Sequence, residues 1–474
     1  MTAGSSGQEA KRGNLIYLGL SQAFRLGAGF AINIMVMRWV GVEGFGVYGY
    51  ITTLVGLLSF GAYMGLDRLL NGEISRREDL AGRYVSGGLL ATLLLSSLTA
   101  AIIIGWTAWM DGRPDVVLAA SLGALALGLR SVAMIPVAAF HAVRRMGLGT
   151  TAHMIGRTVL VAATAMLLWS GLDVEGVFVA QVLDGAVTLG LILFVYSRTL
   201  GGLSLRQGIE SAPGLLRRSV TFGMNALYTS VYLSVDVLML QQMHGEAEVG
   251  IYRAAAVVIS LLPQVADTIT TGIFPRMARH LGQPLAAGEE LSFTTRVLLA
   301  IGVPATIGGL MLAEPLVVLM GGEDFASAAL PFMIMAPMLP IRFLTNAYGM
   351  TLTSLDRQGE RTRGTLYAAV VNILLNLAII PVWGVEGAAA TTLATDILLV
   401  SWLRWRVGPL VQEYRIGGML LRTGVPAILM GGALWLLPPL PVLLSITIGA
   451  AVYAVAGYLS GAWHPRDLSR LRRV

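Results

Sequence analysis

Tyr84 to Trp109 reads YVSGGLLATLLLSSLTAAIIIGWTAW, 26 consecutive residues without a charged side chain. Wound as an α-helix rising about 1.5 Å per residue, this stretch is longer than a bilayer's hydrocarbon core of about 30 Å. In lipid every backbone N–H and C=O must be satisfied within the segment or a closed barrel. A barrel strand would alternate apolar and polar residues over about 10 positions. No such alternation is present, so the stretch predicts a membrane-spanning helix. Similar runs recur from end to end of the 474 residues, of which 55% are hydrophobic and 13% charged. A soluble domain carries about 25% charged residues, and so large a deficit leaves too little polar surface.

Working outward from that stretch, charged and Gly/Pro breaks delimit about fourteen spans. They fall near 15–38, 46–70, 84–109, 116–141, 148–170, 175–197, 216–242, 249–275, 292–313, 326–354, 364–382, 385–405, 416–437 and 439–461. Lys and Arg accumulate in the cytoplasmic loops of membrane proteins. One set of alternate loops holds Lys11, Arg12, Arg76, Arg77, Arg83, Arg144, Arg145, Arg217, Arg218, Arg357, Arg361, Arg363 and the tail residues Arg466, Arg470, Arg472 and Arg473. In the opposite set Arg38 and Arg113 are the clearest cations. This parity predicts an even number of spans with both termini cytoplasmic. The first apolar stretch lacks a cleavable appearance and is expected to remain as a spanning helix.

The formal charge of +6 is dispersed over short loops, which disfavours a nucleic-acid surface. Cysteine is absent, so disulfide and thiol chemistry are excluded. The five histidines show no metal-ligand spacing, and neither a metal nor a cofactor is expected. Gly41-Val42-Glu43-Gly44-Phe45-Gly46 follows no strand and reads as a helix-connecting turn, not a dinucleotide loop.

Two related halves are visible. Gly46-Val47-Tyr48 matches Gly250-Ile251-Tyr252, and Val174-Glu175-Gly176 matches Val385-Glu386-Gly387. Arg130 precedes Arg145 and Gly147 with the spacing by which Arg342 precedes Arg357 and Gly359. The offset covers six spans, so the halves keep one orientation and are related by an axis along the membrane normal. The expected organisation is a tail (1–14), a first lobe (15–200), a linker (201–215), a second lobe (216–406), two extra helices (407–461) and a basic tail (462–474).

Three segments carry a family resemblance: Gly41–Tyr48 (GVEGFGVY), Val235–Ala256 (VDVLMLQQMHGEAEVGIYRAAA) and Asn372–Ala390 (NILLNLAIIPVWGVEGAAA). Through them the chain resembles the polysaccharide transporter branch of the multidrug, oligosaccharidyl-lipid and polysaccharide exporter superfamily. The resemblance implies an all-α, MATE-like carrier of two six-helix lobes plus two helices that alternates between inward-open and outward-open states. It also implies a lipid-linked oligosaccharide of the undecaprenyl diphosphate type as cargo, membrane lipids around it, and a polysaccharide polymerase and chain-length regulator as partners. The implied location is the cytoplasmic membrane. A cation-coupled multidrug exporter and a lipid II flippase are the alternatives on the same fold.

A charge near the bilayer centre costs about 2.5–3.5 kcal/mol on insertion scales, so each needs a partner or a watery cavity. From helical rise, Arg25 lies roughly 15 Å into its span, and Arg130 and Arg342 about 20 Å into theirs. Arg157 is shallower. Permanent charge and a planar fork suit arginine to phosphate oxygens, which makes these four candidate substrate ligands. The alternative is pairing with Asp67, Asp184, Asp236, Asp267 or Asp396. Asp236 and Asp267 are candidates for coupling to H⁺ or Na⁺, or for neutralising arginines. Asn33, Asn225, Asn372 and Asn376 either line a polar path or bond helix to helix. Pro263, Pro337 and Pro340, with Pro331, remove backbone hydrogen bonds inside spans and mark candidate hinges. No large loop or acid–base cluster suggests an enzyme such as a membrane glycosyltransferase.

Overall fold

The computed structural model describes residues 3–438 and 440–462, without the side chains of 3–21, 146, 220–226, 228, 229 and 233. Lys11, Arg12, Asn225 and the tail arginines therefore lie outside what is described. Among the described residues the chain is helical throughout, with no strand.

The helices are α1 (Ala3–Tyr63), α2 (Leu66–Arg76), α3 (Ala81–Met110), α4 (Pro114–Ala142), α5 (Met146–Trp169), α6 (Val174–Thr199), α7 (Leu205–His244) and α8 (Glu246–Ala278). There follow α9 (Pro284–Met311), α10 (Ala313–Gly321), α11 (Ala329–Met335), α12 (Met338–Ser354), α13 (Gln358–Val407), α14 (Ile416–Leu436) and α15 (Val442–Leu459). Ten stretches among the described residues are long and apolar enough to cross a membrane, and the bent pair Glu323–Met335 and Met338–Ser354 makes an eleventh. This is a multi-pass membrane protein. Two of the ten, Gln22–Arg76 and Gln358–Leu410, run to 55 and 53 residues, the length of two crossings each.

Each long helix reverses at one glycine, Gly41 in α1 and Gly384 in α13. The expected six-residue turn at 41–46 thus narrows to a single residue, with helix resuming at once. Gly41 (φ 69°, ψ −168°) has its repeat partner in Gly245 (φ 86°, ψ −169°), the residue between α7 and α8. This region of backbone space is essentially glycine-only, because any Cβ crowds the neighbouring carbonyl. Gly245→Ala is expected to cost about 1–3 kcal/mol, read as a lower unfolding midpoint in detergent. The reversal at Gly384 is capped from both sides. The His244 Nε2 lies 2.8 Å from the Ile380 carbonyl oxygen, and the Val385 N–H donates to Glu248 Oε2 at 3.1 Å. Each bond satisfies a backbone group that the break would otherwise orphan.

The chain divides into two compact units between Ser234 and Val235. In the first, α4 packs on α3 and α6, α5 lies along α6, and α1 contacts α3, α4 and α5. Small residues permit the close approaches, as in other membrane helix pairs. A Cβ at Gly185 on α6 would sit 2.9 Å from the Leu129 Cβ of α4. In the second unit, α12 packs against α8, α9 and α13, while α14 bridges α9 and α15. The helices bend by 46° where Pro337 begins α12 and Pro340 occupies its first turn. By contrast α8 passes unbroken through Pro263. Leu93, Leu94, Leu98 and Ile102 of α3 point outward, as a lipid-facing surface requires.

Candidate functional site

The first unit holds a cavity of about 370 Å³ inside its helices. Its wall is formed by Gly29, Ile32 and Asn33, then Tyr48, Thr52, Val55, Gly56 and Ser59 beyond the Gly41 reversal. Leu127 and Arg130 of α4, Arg157 and Leu160 of α5, and Phe178 and Gln181 of α6 complete it. Aliphatic and aromatic side chains therefore surround a small set of polar groups and two guanidiniums.

Arg130 donates from Nε to the Ala126 carbonyl at 3.3 Å and from Nη2 to Gln181 Oε1 at 3.3 Å. Both acceptors are neutral. Arg157 pairs with Asp184, its Nη1 lying 3.8 Å from Oδ2. The other carboxylate oxygen of Asp184 accepts from Thr188 Oγ1 at 3.3 Å. Gly156 makes this arrangement possible, because a Cβ there would lie 2.5 Å from Asp184 Oδ1 and 2.0 Å from Thr188 Oγ1. Asn33 donates to the Gly29 carbonyl at 2.8 Å, which fixes its amide orientation. Tyr48 packs on Phe178 with ring centroids 5.8 Å apart, closing one side of the wall.

The structure thus gathers Arg130 and Arg157 into one site. Arg25 does not line the cavity: it is exposed on α1, bonded to Gln22, and within electrostatic reach of Arg157. His153 lies one helical turn before Arg157 on α5 and interacts electrostatically with Asp184, Arg157 and Arg25. Sequence reasoning missed His153 and Gln181. The spacing of four between His153 and Arg157 was the available signal for the first.

Arg342 and the two coupling candidates, Asp236 and Asp267, belong to the second unit. Arg342 Nε donates to Asp396 Oδ2 at 2.7 Å, a direct charge-assisted bond between α12 and α13. Asp236 on α7 is 5% exposed and makes no ion pair among the described residues. It accepts from Tyr252 Oη, from the Val237 amide at 2.9 Å and from Thr392 Oγ1 at 3.4 Å. Asp267 is exposed on α8, with Arg361 within electrostatic reach. Asn372 and Asn376 belong to a buried polar ladder: Asn376 donates to Asn372 at 3.0 Å, Asn372 to Thr395 at 3.3 Å, and Thr391 to Asn376. This is helix-to-helix bonding across the Gly384 reversal. No group of three metal-ligating side chains occurs among the described residues.

A helical membrane protein with a repeated glycine reversal and a cationic cavity within one bundle has the anatomy of a carrier. Residues 12–281 match the family described as "Polysaccharide biosynthesis protein", and 221–382 match the MatE family. The chain belongs to the polysaccharide biosynthesis protein family.

Among relatives, a Haloferax volcanii protein named a probable low-salt glycan biosynthesis flippase is 25% identical over 80% of this chain and 79% of its own. A protein of Escherichia coli strain K12, provisionally named an O-antigen transporter, is 22% identical over 82% of this chain and 95% of its own. The fold is shared with a solved lipid II flippase MurJ in an inward closed conformation, at a TM-score of 0.75 and 13% identity, covering 94% of this chain and 97% of that one. These relatives are named as flippases and transporters, not enzymes.

Proposed function

We propose that this protein is a flippase that carries a lipid-linked oligosaccharide of the undecaprenyl diphosphate type across the cytoplasmic membrane for cell-surface polysaccharide synthesis. The observation that carries this reading is the cavity of the first unit, where Arg130 and Arg157 face one carboxylate, Asp184. Two guanidiniums against one acid leave a net positive site suited to a diphosphate. A cavity for cationic drugs would want the opposite sign. The names of the relatives support the same cargo. A lipid II flippase would need the same diphosphate chemistry, and growth of cells lacking the gene would argue against that essential role.

The lipid tail stays between helices in the bilayer while the head and sugars occupy the polar path, and alternating access turns the head outward. With the cytoplasm negative, outward movement of an anion gains about 2.3 kcal/mol per charge per 100 mV. No catalytic step is involved. Fourteen crossings follow if each 50-residue helical stretch is divided at its glycine, the bent pair counts once and α7 spans once. Both termini are then cytoplasmic, consistent with the loop arginines. The bend at Pro337 and Pro340 is the hinge we favour over Pro263, because α8 stays continuous there. Arg342 serves as a strut through Asp396. Asp236, buried and bonded only to hydroxyl and amide donors, with Arg342 within electrostatic reach, is the stronger of the two acids for coupling to H⁺ or Na⁺. A polysaccharide polymerase and a chain-length regulator are the expected partners of such a carrier.

The test is reconstitution in vesicles with a lipid-linked oligosaccharide. The wild-type protein is expected to accelerate inner-to-outer exposure of the sugar, and no acceleration would overturn the reading. Arg25→Ala is expected to lower polysaccharide display with protein abundance unchanged, since an exposed arginine beside Arg157 adds to the attracting field without holding the fold. Full display in that variant would remove Arg25 from the substrate path.

A further inference from the structure

The two halves treat equivalent charges differently. Arg130 and Arg342 share their spacing to later matched residues, and the acids lie close in register, ten residues after Val174 for Asp184 and eleven after Val385 for Asp396. In the second half arginine and acid close directly, at 2.7 Å. In the first half they do not: Arg130 makes no ion pair among the described residues, although Asp184 lies within its electrostatic reach. What differs is Arg157. Counting by either offset of the repeat, 211 or 212 residues, the corresponding position is alanine, Ala368 or Ala369.

Asp184 is buried and its bond to Arg157 is long, 3.8 Å, while Thr188 holds its other oxygen at 3.3 Å. A carboxylate at that distance is held by charge attraction rather than by a hydrogen bond. It has two arginines to choose between, and the nearer one wins. We propose that Arg157 is a positioning residue that draws Asp184 away from Arg130, so that the guanidinium of Arg130 is left for the phosphate oxygens of an anionic lipid head group. This rests on the proposed function above. Without Arg157, Asp184 turns to Arg130 as Asp396 does to Arg342, and the cavity neutralises itself. A repeat that would otherwise close two internal ion pairs has thereby been converted, in one half, into an anion receptor.

The experiment is a double-mutant cycle on the full-length protein in detergent, with farnesyl diphosphate as the probe and farnesol as the uncharged control. Arg157→Met is expected to weaken diphosphate binding about tenfold, the loss of one charge-assisted contact. Asp184→Asn in the wild-type background is expected to change affinity by less than about twofold, because its charge is already engaged. The same change in the Arg157→Met background is expected to restore about tenfold, because it removes the competitor for Arg130. Unfolding midpoints of all four proteins establish that they are folded, and Arg157→Gln serves in place of Arg157→Met should the latter fail to fold. Equal gains from Asp184→Asn in both backgrounds, or no gain in either, would overturn the positioning role while leaving the anion site standing. Failure of the wild-type protein to bind diphosphate over farnesol overturns the site and this inference together.

Discussion

Arg130→Met is expected to lower flipping of a diphosphate-linked oligosaccharide in reconstituted vesicles by roughly 10- to 100-fold, at normal protein abundance and unfolding midpoint. The magnitude follows from losing one charge-assisted hydrogen bond, worth about 1.5–3 kcal/mol. The fold tolerates the change because the partners given up are neutral, the Ala126 carbonyl and the Gln181 side chain. Gln181 keeps access to the cavity and so to another donor. Arg130→Lys retains the charge but not the planar fork, and an intermediate loss is expected for it. Normal flipping by Arg130→Met would remove the cavity from the transport path.

Asp396→Ala has the opposite signature. It leaves the guanidinium of Arg342, whose side chain is 23% exposed, without the acid it bonds at 2.7 Å. Removing one member of a buried pair costs about 3–5 kcal/mol, whereas replacing both by apolar residues is often neutral. The single variant is expected to unfold well below the wild type and to fall in abundance. The double variant Arg342→Met/Asp396→Leu is expected to recover both stability and transport. The comparison separates an arginine that holds helices together from one that receives cargo. Recovery of stability without transport in the double variant would return Arg342 to the substrate path.

The fold was legible because lipid imposes long uninterrupted apolar runs, and those runs translate almost directly into helices: 116–141 became Pro114–Ala142, and 175–197 became Val174–Thr199. The prolines of span ten announced the 46° bend, since a missing N–H and a ring clash leave few alternatives. The turn after the first span was visible as a glycine-rich motif, yet not that a single residue, Gly41, would complete the reversal. That is a matter of backbone geometry, which residue type suggests only through glycine.

The site was legible only as a set of charges. Arg130 and Arg157 converge because α4 and α5 both pack on α6, and helix adjacency is not written in hydropathy. Of five candidate acids, the sequence had no means of choosing Asp396 for Arg342 or Asp184 for Arg157. The choice depends on side chains reaching across interfaces made close by residues such as Gly156, where the absence of a Cβ is what matters. Gln181 and His153 carried no charge signal and went unnoticed. Asp236 was visible as a charge in a matching segment, but its hydroxyl partners, Tyr252 and Thr392, emerge only from the packing of α7, α8 and α13.

In this mechanism the cavity of the first unit receives the diphosphate of the lipid carrier. Photo-crosslinking tests it most directly, using a polyprenyl diphosphate with a photoreactive group beside the diphosphate and mapping of the labelled peptides in the wild-type protein. Labelling is expected on the segments that line the cavity, around Asn33, Thr52, Arg130, Arg157 and Gln181, suppressed by excess unlabelled diphosphate lipid and by Arg130→Met. Labelling confined to the second unit, around Arg342 and Asp396, with the cavity peptides untouched, would contradict it.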